Sequence, residues 1–480
     1  MHGEDTWHGD RPKEECGVVG IWTPGSQAAR AAFFSLQALQ HRGQESAGIA
    51  VNGGGQVTMR KGMGLVGAVF TDLSDLQGEM AIGHTRYSTT GASVLANAQP
   101  IHCVSTVGEI AVAHNGNLVN TKELRDELIA EGADLQTTAD SEVIAQLLVR
   151  NLHLGVVNAV AVVMKRIQGA YAVTVLTPDM VLGFRDPHGV RPMVVGRLAE
   201  GFIVASESCA FVPVGAELIN EVGPGEVVII DQNGLRMAQA APPQAHNLCL
   251  FEMIYFARPD SRMYGSLIYD ARERMGMELA VEKPADADIV VPVPDSGVPA
   301  AIGYSRVSGI PFCEGMMKNR YIHRTFIQPD QRMRELGVRM KLSPLEDRIR
   351  HKRIVLVDDS IVRATTTRQI VKMLLDQGAK EVHVRITAPP IKHPCFYGID
   401  MASTKELAAA TMTEKQICNH VGATSLGYLS IAGAVRAVGR PASEFCLACF
   451  DGRYPIAVPK ELSKMAFEEG AVGELATVKV

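Results

Sequence analysis

The hydrophobic pattern of the chain changes about halfway along its length. The first half contains short segments in which apolar and polar residues alternate, separated by glycine-rich turns at 53–55, 115–117 and 232–234. The second half contains continuous apolar runs at 288–293, 354–357 and 382–386, with helical segments between them. Alternation is typical of antiparallel strands with one buried face, and continuous apolar runs are typical of parallel strands buried on both faces. We therefore predict an α+β domain followed by a doubly wound α/β domain.

The length of 480 residues also favours two cores over one. A segment at 238–246 contains paired prolines and shows no hydrophobic period, which indicates a linker. We place the first domain at 16–247, the second at 248–462 and a C-terminal tail at 463–480. Hydrophobic spacing predicts helices at 28–39 and 141–151 in the first domain and at 365–377 in the second.

Composition excludes several classes of protein. The net charge of −5 argues against a nucleic-acid partner. No apolar run reaches the roughly 18 residues that a membrane helix needs, and residues 1–15 lack the apolar core of a secretory signal. Nine cysteines in 480 residues are too few for a disulfide scaffold. We expect a cytoplasmic protein with no membrane or nucleic-acid partner.

One cysteine stands at an unusual place in the sequence. Cys16 lies between the polar segment 1–15 and the first predicted strand at 17–22. If that segment were removed, Cys16 would carry a free α-amine with a pKa of about 7.7–8.0, able to accept the thiol proton. The same residue would then supply the nucleophile and the general base. The alternative is a cysteine that simply fills the core.

Five motifs accompany Cys16. They are ECGVVG at 15–20, HRGQESAG at 41–48, GHTRYST at 83–89, HNGNL at 114–118 and TADSE at 138–142. Together they resemble the class II glutamine amidotransferase domain, which is an N-terminal-nucleophile fold, and the resemblance extends to Asp231. It implies an α+β sandwich with glutaminase activity, a propeptide at 1–15 and Cys16 as the nucleophile.

The resemblance also assigns roles to four further residues. It implies that Arg86 binds the carboxylate of glutamine and that Asp140 binds its ammonium group. The Asn115 side chain and the Gly116 backbone N–H would stabilise the oxyanion that forms when sulfur attacks the amide. Taken singly, each residue has a structural alternative: an ion pair for Arg86, a hairpin turn for Asn115–Gly116 and a helix N-cap for Asp140.

A second group of polar residues follows the apolar run at 354–357. The sequence there is DDSIVRATTT at 358–367, before a predicted helix. A turn between strand and helix offers N–H groups to phosphate, and paired acids suit ribose hydroxyls or Mg²⁺. From these residues alone, two interpretations of the segment are equally supported. It is either a phosphate-binding site or a capped helix beside a pair of surface acids.

The stretch resembles the signature for 5-phosphoribosyl-1-pyrophosphate (PRPP) in phosphoribosyltransferases of the type I fold. The resemblance implies that PRPP is bound by six residues: Asp358, Asp359, Ser360, Thr365, Thr366 and Thr367. It departs from the family pattern at Ala364, where the family has glycine. The segment at 293–297 resembles the pyrophosphate loop of the same fold, with Ser296, Asp358 and Asp359 as the expected Mg²⁺ contacts.

A basic segment lies between these two motifs. Residues 318–341 contain seven Lys or Arg against two acids. The segment is either a solvated basic helix or a lid that closes on a polyanionic substrate. By resemblance, Lys318, Tyr321 and Arg324 belong to the PRPP lid.

The C-terminal region contains the motif Cys446-x-x-Cys449. This spacing alone is compatible with zinc, redox or iron–sulfur chemistry. Resemblance to the cluster-bearing branch of the family adds Cys249 and Cys395 and favours a [4Fe–4S] cluster over zinc.

The two domains in this order resemble a family of enzymes that couple glutamine hydrolysis to PRPP. The resemblance implies the first step of purine biosynthesis, in which glutamine, PRPP and water give 5-phosphoribosylamine, pyrophosphate and glutamate, with ammonia passing through an internal channel. It also implies Mg²⁺, a homotetramer and feedback inhibition by purine nucleotides. Two alternatives are an amidotransferase with another acceptor, such as a sugar phosphate, and a catalytically silent PRPP or nucleotide sensor.

Overall fold

The computed structural model describes residues 16–87, 93–105, 108–319, 341–399, 401 and 404–459. The predicted propeptide, the tail at 463–480, and Tyr321 and Arg324 of the predicted lid lie outside these residues. In the described part of the chain, no helix combines the length and the apolar character needed to cross a membrane.

The first domain contains thirteen described strands. They are β1 (Gly17–Trp22), β2 (Ser46–Gly53), β3 (Gln56–Met63), β4 (Met80–Arg86), β5 (Ile101–Ser105), β6 (Gly108–Leu118), β7 (Gly169–Leu176), β8 (Val181–Arg185), β9 (Val194–Leu198), β10 (Gly201–Ala205), β11 (Glu217–Glu221), β12 (Glu226–Asp231) and β13 (Gly234–Gln239). Its α-helices are α1 (Ala28–Ala38), α2 (Val66–Val69), α3 (Thr121–Ala130), α4 (Asp140–Asn151) and α5 (Val156–Arg166). Short 3₁₀ helices lie at Leu95–Asn97, Leu152–Leu154, Ser208–Ala210 and Val212–Val214.

These strands form two antiparallel sheets that pack face to face. One sheet has the order β11-β9-β10-β1-β4-β2-β3 and the other β13-β12-β8-β7-β6-β5. Small and β-branched residues, including Val18, Ala113 and Val204, fill the space between the sheets. Helix α1 covers the outer face of the first sheet, and α4 and α5 cover that of the second. The predicted α+β sandwich is therefore observed.

One prediction about this domain is wrong. The sequence of residues 115–117 indicates a turn, but the structure places all three within strand β6. Asn115 pairs with Ala172 and Gly116 with Tyr171 on β7. An Asn–Gly pair is a local turn signal, and here the long-range pairing with β7 overrides it. The turns predicted at 53–55 and 232–234 do connect neighbouring strands.

The second domain has ten described strands. They are β14 (Leu248–Cys249), β15 (Arg262–Met263), β16 (Ser266–Leu267), β17 (Ile289–Pro292), β18 (Met316–Lys318), β19 (Leu342–Pro344), β20 (Arg353–Asp358), β21 (Glu381–Ile386), β22 (Ser425–Tyr428) and β23 (Phe445–Cys446). Its α-helices are α6 (Ile268–Glu282), α7 (Val298–Ser308), α8 (Glu346–Ile349), α9 (Thr365–Asp376), α10 (Ala408–Thr411), α11 (Glu414–Val421), α12 (Ile431–Val438) and α13 (Ala448–Asp451). A π-helical turn lies at Glu252–Phe256, and 3₁₀ helices lie at Thr404–Glu406 and Ala442–Glu444.

The central sheet of this domain is parallel, in the order β17-β20-β21-β22. Phe312 forms a parallel bridge with Val290 of β17, so the chain also extends the sheet beyond β17. Because parallel connections are right-handed, helices that lead in opposite directions from the β17–β20 pair lie on opposite faces. The sheet is thus doubly wound as predicted, and its strand order reverses between β17 and β20.

Helices α6 and α7 approach each other closely at two glycines. A Cβ atom on Gly276 would lie 1.9 Å from the carbonyl oxygen of Ala300, and one on Gly303 would lie 1.9 Å from that of Glu273. Both obstacles are backbone atoms, which cannot move aside without separating the helices.

We expect Gly276→Ala to lower the free energy of unfolding by about 3 kcal/mol, because overpacking at a helix crossing forces the backbones apart. Urea unfolding measures the change. Gly67→Ala is the matched helical control, since its new Cβ would meet only the side-chain amide of Gln37. Equal losses for the two variants would contradict the backbone contact.

Candidate active sites

Cys16 is the residue before β1 and is only 5% exposed. Its thiol lies 3.3 Å from the backbone carbonyl oxygen of Tyr87 and donates to it. Burial raises the pKa of the thiol to about 12, with Asp140 and Glu45 adding to the rise and Arg86 opposing it. The thiol is therefore protonated near neutrality, and it needs a base to become a nucleophile.

Arg86 and Asp140 both lie within electrostatic range of Cys16. Arg86 ends β4, the strand that pairs with β1, and is 2% exposed. Asp140 is the first residue of α4, whose N-cap is Ala139, so the N-cap alternative for Asp140 is wrong. Because Arg86 is buried, the alternative in which it forms a surface ion pair is wrong.

The Asp140 carboxylate has two described partners on β6. Its Oδ1 lies 3.3 Å from Nδ1 of His114, and its Oδ2 accepts the backbone N–H of Leu118 at 3.1 Å. Burial alone would raise the pKa of Asp140, but His114 and the N–H groups of Leu118 and Ser141 lower it. A buried anion within reach of Cys16 suits an ammonium group.

Asn115 and Gly116 lie on the sheet that faces β1. Nδ2 of Asn115 donates to Oγ of Ser206 at 3.4 Å, and the same Oγ accepts the N–H of Val18 at 3.0 Å. Ser206 therefore links Asn115 to the strand that follows Cys16. The buried Oδ1 of Asn115 has no hydrogen-bond partner among the described residues. The structure thus gathers Cys16, Arg86, Asn115, Gly116 and Asp140 at one end of the sandwich.

A buried group of charges joins this site to the second domain. Nε of Arg42 donates to the backbone carbonyl oxygen of Cys16 at 3.0 Å. The same guanidinium contacts Glu207 at 2.5 Å and Glu252 at 2.7 Å, and both carboxylates are fully buried. Arg191 lies 3.7 Å from Glu252. We call Arg42, Arg191, Glu207 and Glu252 the interdomain ion network.

Glu207 also binds the second domain directly. It accepts the hydroxyl of Ser261 at 2.7 Å and the backbone N–H of Arg258 at 2.9 Å. Although burial opposes it, His41 and Arg42 hold the pKa of Glu207 well below its usual range. Sequence reasoning missed Ser206, Glu207 and Glu252, and gave Arg42 no role, because no local pattern shows which distant charge a buried residue meets.

The second site lies where β17 and β20 end. In an open α/β sheet, ligands bind at the carboxyl ends of the strands where the strand order reverses. Asp358 ends β20, and both it and Asp359 are nearly fully buried. Ser296, which follows β17, donates to Oδ2 of Asp359, and Ser360 donates to Oδ1 at 2.6 Å. We call Ser296, Asp358 and Asp359 the acidic site.

The threonines begin the helix beyond this site. Thr365 is the first residue of α9 and is exposed, Thr366 is half-buried and Thr367 is buried. Lys318 ends β18 and its Nζ lies 2.8 Å from the carboxylate of Asp295 in the loop after β17. The predicted PRPP-binding residues that the structure describes therefore lie on neighbouring loops.

A buried cation that the sequence did not suggest, Arg272, lies within electrostatic range of Asp359.

Ala364, which precedes α9, adopts a left-handed conformation with φ of 65° and ψ of 5°. An L-residue pays about 1–2 kcal/mol for this conformation, whereas glycine adopts it freely. The departure from the family pattern therefore falls at a position where the backbone favours glycine, and the chain tolerates alanine at a cost.

The four cysteines near the domain boundary come together. Cys249 pairs with Cys446 in the short parallel β14–β23 sheet. Cys449 lies within electrostatic range of the other three sulfurs, and its carbonyl accepts the N–H groups of Lys392 and His393, just before Cys395. None of these four described cysteines forms a disulfide. We call Cys249, Cys395, Cys446 and Cys449 the four-cysteine site.

The spacing of these sulfurs bears on what they hold. A tetrahedral Zn²⁺ with Zn–S bonds of about 2.3 Å would place its sulfurs about 3.8 Å apart. No three of these four described sulfur atoms lie within 4.8 Å of one another. A four-iron cluster is larger than one ion and holds its thiolates farther apart. No three of the four sulfurs are therefore as close together as a single tetrahedral Zn²⁺ would hold them.

Comparisons with known proteins agree with both halves. Residues 84–213 match the family described as glutamine amidotransferase domain, and residues 267–394 match the phosphoribosyl transferase domain. The amidophosphoribosyltransferase of Synechococcus elongatus is 51% identical over 463 residues, which covers 95% of this chain and 94% of that protein. The Archaeoglobus fulgidus amidophosphoribosyltransferase is 50% identical over 453 residues, covering 93% and 99%.

The chain belongs to the amidophosphoribosyltransferase family. Two solved structures superpose on it with a TM-score of 0.88 at 44% identity, covering 93% of this chain and 99% or 97% of theirs. One is the glutamine PRPP amidotransferase of B. subtilis complexed with ADP and GMP, and the other is described as the allosteric regulatory enzyme of purine biosynthesis. Both fold predictions are confirmed. As an amidophosphoribosyltransferase, the chain is a pentosyltransferase with a glutamine amidotransferase domain, and PRPP is favoured over another sugar phosphate as its acceptor.

We expect Ala364→Gly to raise the free energy of unfolding by about 1 kcal/mol, because glycine relieves the left-handed strain. The midpoint of urea unfolding measures this change. Ala410→Gly, at an exposed position within α10, is the control and should shift stability the opposite way by up to about 1 kcal/mol. A loss of stability in Ala364→Gly would contradict the inference that the backbone of Ala364 is strained.

Proposed function

We propose that this enzyme makes 5-phosphoribosylamine from PRPP, using ammonia that it releases from glutamine at Cys16. The observation that carries this proposal is the buried connection between the Cys16 site and the second domain. Arg42 contacts the carbonyl of Cys16 on one side and Glu252 of the second domain on the other. The family matches in both halves support the same pairing of activities.

The first half-reaction uses the groups around Cys16. Arg86 would bind the carboxylate of glutamine and Asp140 its ammonium group. The sulfur attacks the amide carbonyl, and the oxyanion is stabilised by the Asn115 side chain and the Gly116 N–H. The C–N bond breaks, ammonia leaves with the proton taken from the thiol, and a γ-glutamyl thioester remains. Water then hydrolyses the thioester to glutamate.

Removal of residues 1–15 would activate this nucleophile. With the leader attached, burial holds the Cys16 thiol in its protonated form. Cleavage between Glu15 and Cys16 creates an α-amine with an ordinary pKa of about 7.7–8.0, which accepts the thiol proton as the sulfur attacks. We therefore propose that the chain is made as a zymogen with a propeptide at 1–15.

The second half-reaction uses the acidic site. Asp358 and Asp359 would hold the ribose hydroxyls of PRPP, and Ser360 and the threonines at the start of α9 its 5-phosphate. Lys318, Tyr321 and Arg324 would cover the diphosphate. Ammonia attacks C1 of the ribose and pyrophosphate leaves with the electron pair of the C–O bond. We propose that ammonia travels between the sites inside the protein, because in neutral water it is mostly protonated and not nucleophilic.

Two cofactors follow from the chemistry of the side chains. Ser296, Asp358 and Asp359 offer oxygen donors, which Mg²⁺ prefers, and this ion would neutralise charge on the diphosphate. The four-cysteine site would hold a [4Fe–4S] cluster that connects β14, residue 395 and β23. Neither half-reaction transfers electrons, so we assign the cluster a structural or oxygen-sensing role.

Regulation and assembly are further parts of the proposal. The B. subtilis relative is complexed with ADP and GMP, and we propose that purine nucleotides inhibit this enzyme too. We also propose a homotetramer in the cytoplasm. Sedimentation with and without nucleotides tests the assembly, and a monomer would contradict it.

The decisive experiment compares two nitrogen donors. In a chain that begins at residue 16, we expect Cys16→Ala to lower glutamine-dependent 5-phosphoribosylamine formation at least about 1,000-fold. Ammonia-dependent formation should persist, because the acidic site is intact. Pyrophosphate release, measured with each donor, reports both activities.

Asp359→Asn is the matched control for that experiment. It removes one charge at the acidic site and should therefore impair both the glutamine-dependent and the ammonia-dependent reaction. Glutamine-dependent activity in Cys16→Ala would disprove the nucleophile. A wild-type protein that binds PRPP and uses neither donor would instead support the sensor alternative.

The four-cysteine site makes a separate prediction. Anaerobically purified protein should contain about four irons and four sulfides per chain and show the visible absorbance of an iron–sulfur cluster. Cys395→Ser should lower the iron content, whereas Cys418→Ser, whose partly buried thiol donates to the carbonyl oxygen of Ala423 just after α11, should not. Stoichiometric zinc without iron would overturn the assignment.

A further inference from the structure

The strand that carries the proposed oxyanion donors ends against the core of the second domain. Val119 follows β6 directly, yet it packs in the hydrophobic core of the second domain, as do Ala170 and Val190 of the first domain. The end of β6 is therefore part of the domain interface. We call residues 115–117 the oxyanion segment and residues 395–399 of the second domain the bracing loop.

The two segments meet at a pair of glycines. A Cβ on Gly398 would lie 3.0 Å from Cα and 3.1 Å from the carbonyl carbon of Gly116, and the φ of Gly398 is +115°. On its other side, Gly116 is packed so closely on β7 that its own Cβ would lie 2.0 Å from the carbonyl oxygen of Ala170. The Gly116 peptide is thus held between β7 and Gly398.

A hydrogen bond fixes the next residue. Nδ2 of Asn117 donates to the backbone carbonyl oxygen of Phe396 at 2.9 Å, and Asn117 is nearly fully buried. Two consecutive residues of the oxyanion segment therefore contact the bracing loop, one by backbone packing and one by a hydrogen bond.

The bracing loop is itself anchored in the second domain. The hydroxyl of Tyr397 donates to the carbonyl oxygen of Ile456 and accepts its N–H at 3.0 Å. The N–H of Tyr397 lies 3.4 Å from the sulfur of Cys395. These contacts tie the loop to the four-cysteine site and to the segment after α13.

We propose that the bracing loop holds the oxyanion segment in its catalytic position and that Gly398 of the second domain is a positioning residue for glutamine hydrolysis. This inference rests on the proposed function of Cys16, Asn115 and Gly116. Oxyanion donors act only when they are held at the position where charge develops, so a shift of a few tenths of an ångström in Gly116 lowers the rate. The second domain thereby completes the glutaminase site without touching glutamine.

The test is Gly398→Ala, whose new methyl group presses on the Gly116 peptide. We expect kcat for glutamine hydrolysis to fall about 10- to 100-fold while KM for glutamine changes less than about 3-fold, because Arg86 and Asp140 still bind the substrate. Ammonia-dependent synthesis and the rate at which iodoacetamide alkylates Cys16 should both match the wild type. An effect confined to kcat is not expected from general loss of structure.

Gly452→Ala is the matched control. Gly452 also has a positive φ, of +77°, and lies three residues after Cys449, but the atoms nearest to its Cβ would belong to the side-chain ring of His393 and not to the backbone. We expect its glutamine kcat to stay within about 2-fold of the wild type. An equal loss in Gly452→Ala would overturn the proposal, since disturbance near the four-cysteine site would then explain the effect.

Asn117→Ala provides a second, independent variant. It removes the hydrogen bond to Phe396 and should lower the glutamine kcat about 3- to 10-fold with the same unchanged KM. The proposal would be overturned if Gly398→Ala and Asn117→Ala both kept the wild-type kcat for glutamine hydrolysis. It would also be overturned if the ammonia-dependent reaction were lost in parallel. If the wild type hydrolyses glutamine but forms no product from PRPP, the proposed function fails, while the glutamine kcat values still decide the role of the bracing loop.

Discussion

The structure depends on a buried guanidinium that serves two domains. Arg42 supports the backbone of Cys16 and is neutralised by Glu207 of the first domain and Glu252 of the second. Removing one partner of a buried ion pair typically costs about 3–5 kcal/mol, because the remaining charge keeps its desolvation penalty without compensation. The domains therefore cannot separate without exposing the network, and the position of Cys16 depends on the presence of the second domain.

The same interface reaches the glutaminase site at a second place. The interdomain ion network contacts the backbone of Cys16, and the bracing loop contacts the segment that carries Gly116. The proposed nucleophile and the proposed oxyanion donors lie on opposing sheets of the sandwich, so a change in their relative position would alter the proposed chemistry directly. The second domain therefore contacts the surroundings of Cys16 and of Gly116 at two separate places.

Local pattern predicted much of the secondary structure. The strand at Gly17–Trp22, the helix at Ala28–Ala38 and the parallel strands all lie where hydrophobic spacing placed them. The error at 115–117 came from an Asn–Gly pair whose local turn preference is overridden by pairing with β7. The family pattern has glycine where this chain has Ala364, and only the left-handed backbone at that position shows why glycine is favoured there. The roles of the individual site residues remain predictions, since they depend on bound substrates.

The sequence by itself determined the two fold classes, the order of the domains and the residue types available for chemistry, because periodicity and motif spacing are local properties of a chain. Only the tertiary structure decided which buried charge neutralises Arg42, that Ser206 links Asn115 to β1, and that Gly398 packs on Gly116. Gly116 and Gly398 lie far apart in the sequence, and their contact arises where the two domains pack against each other. No local pattern encodes such a contact, since burial depends on everything that packs around a residue.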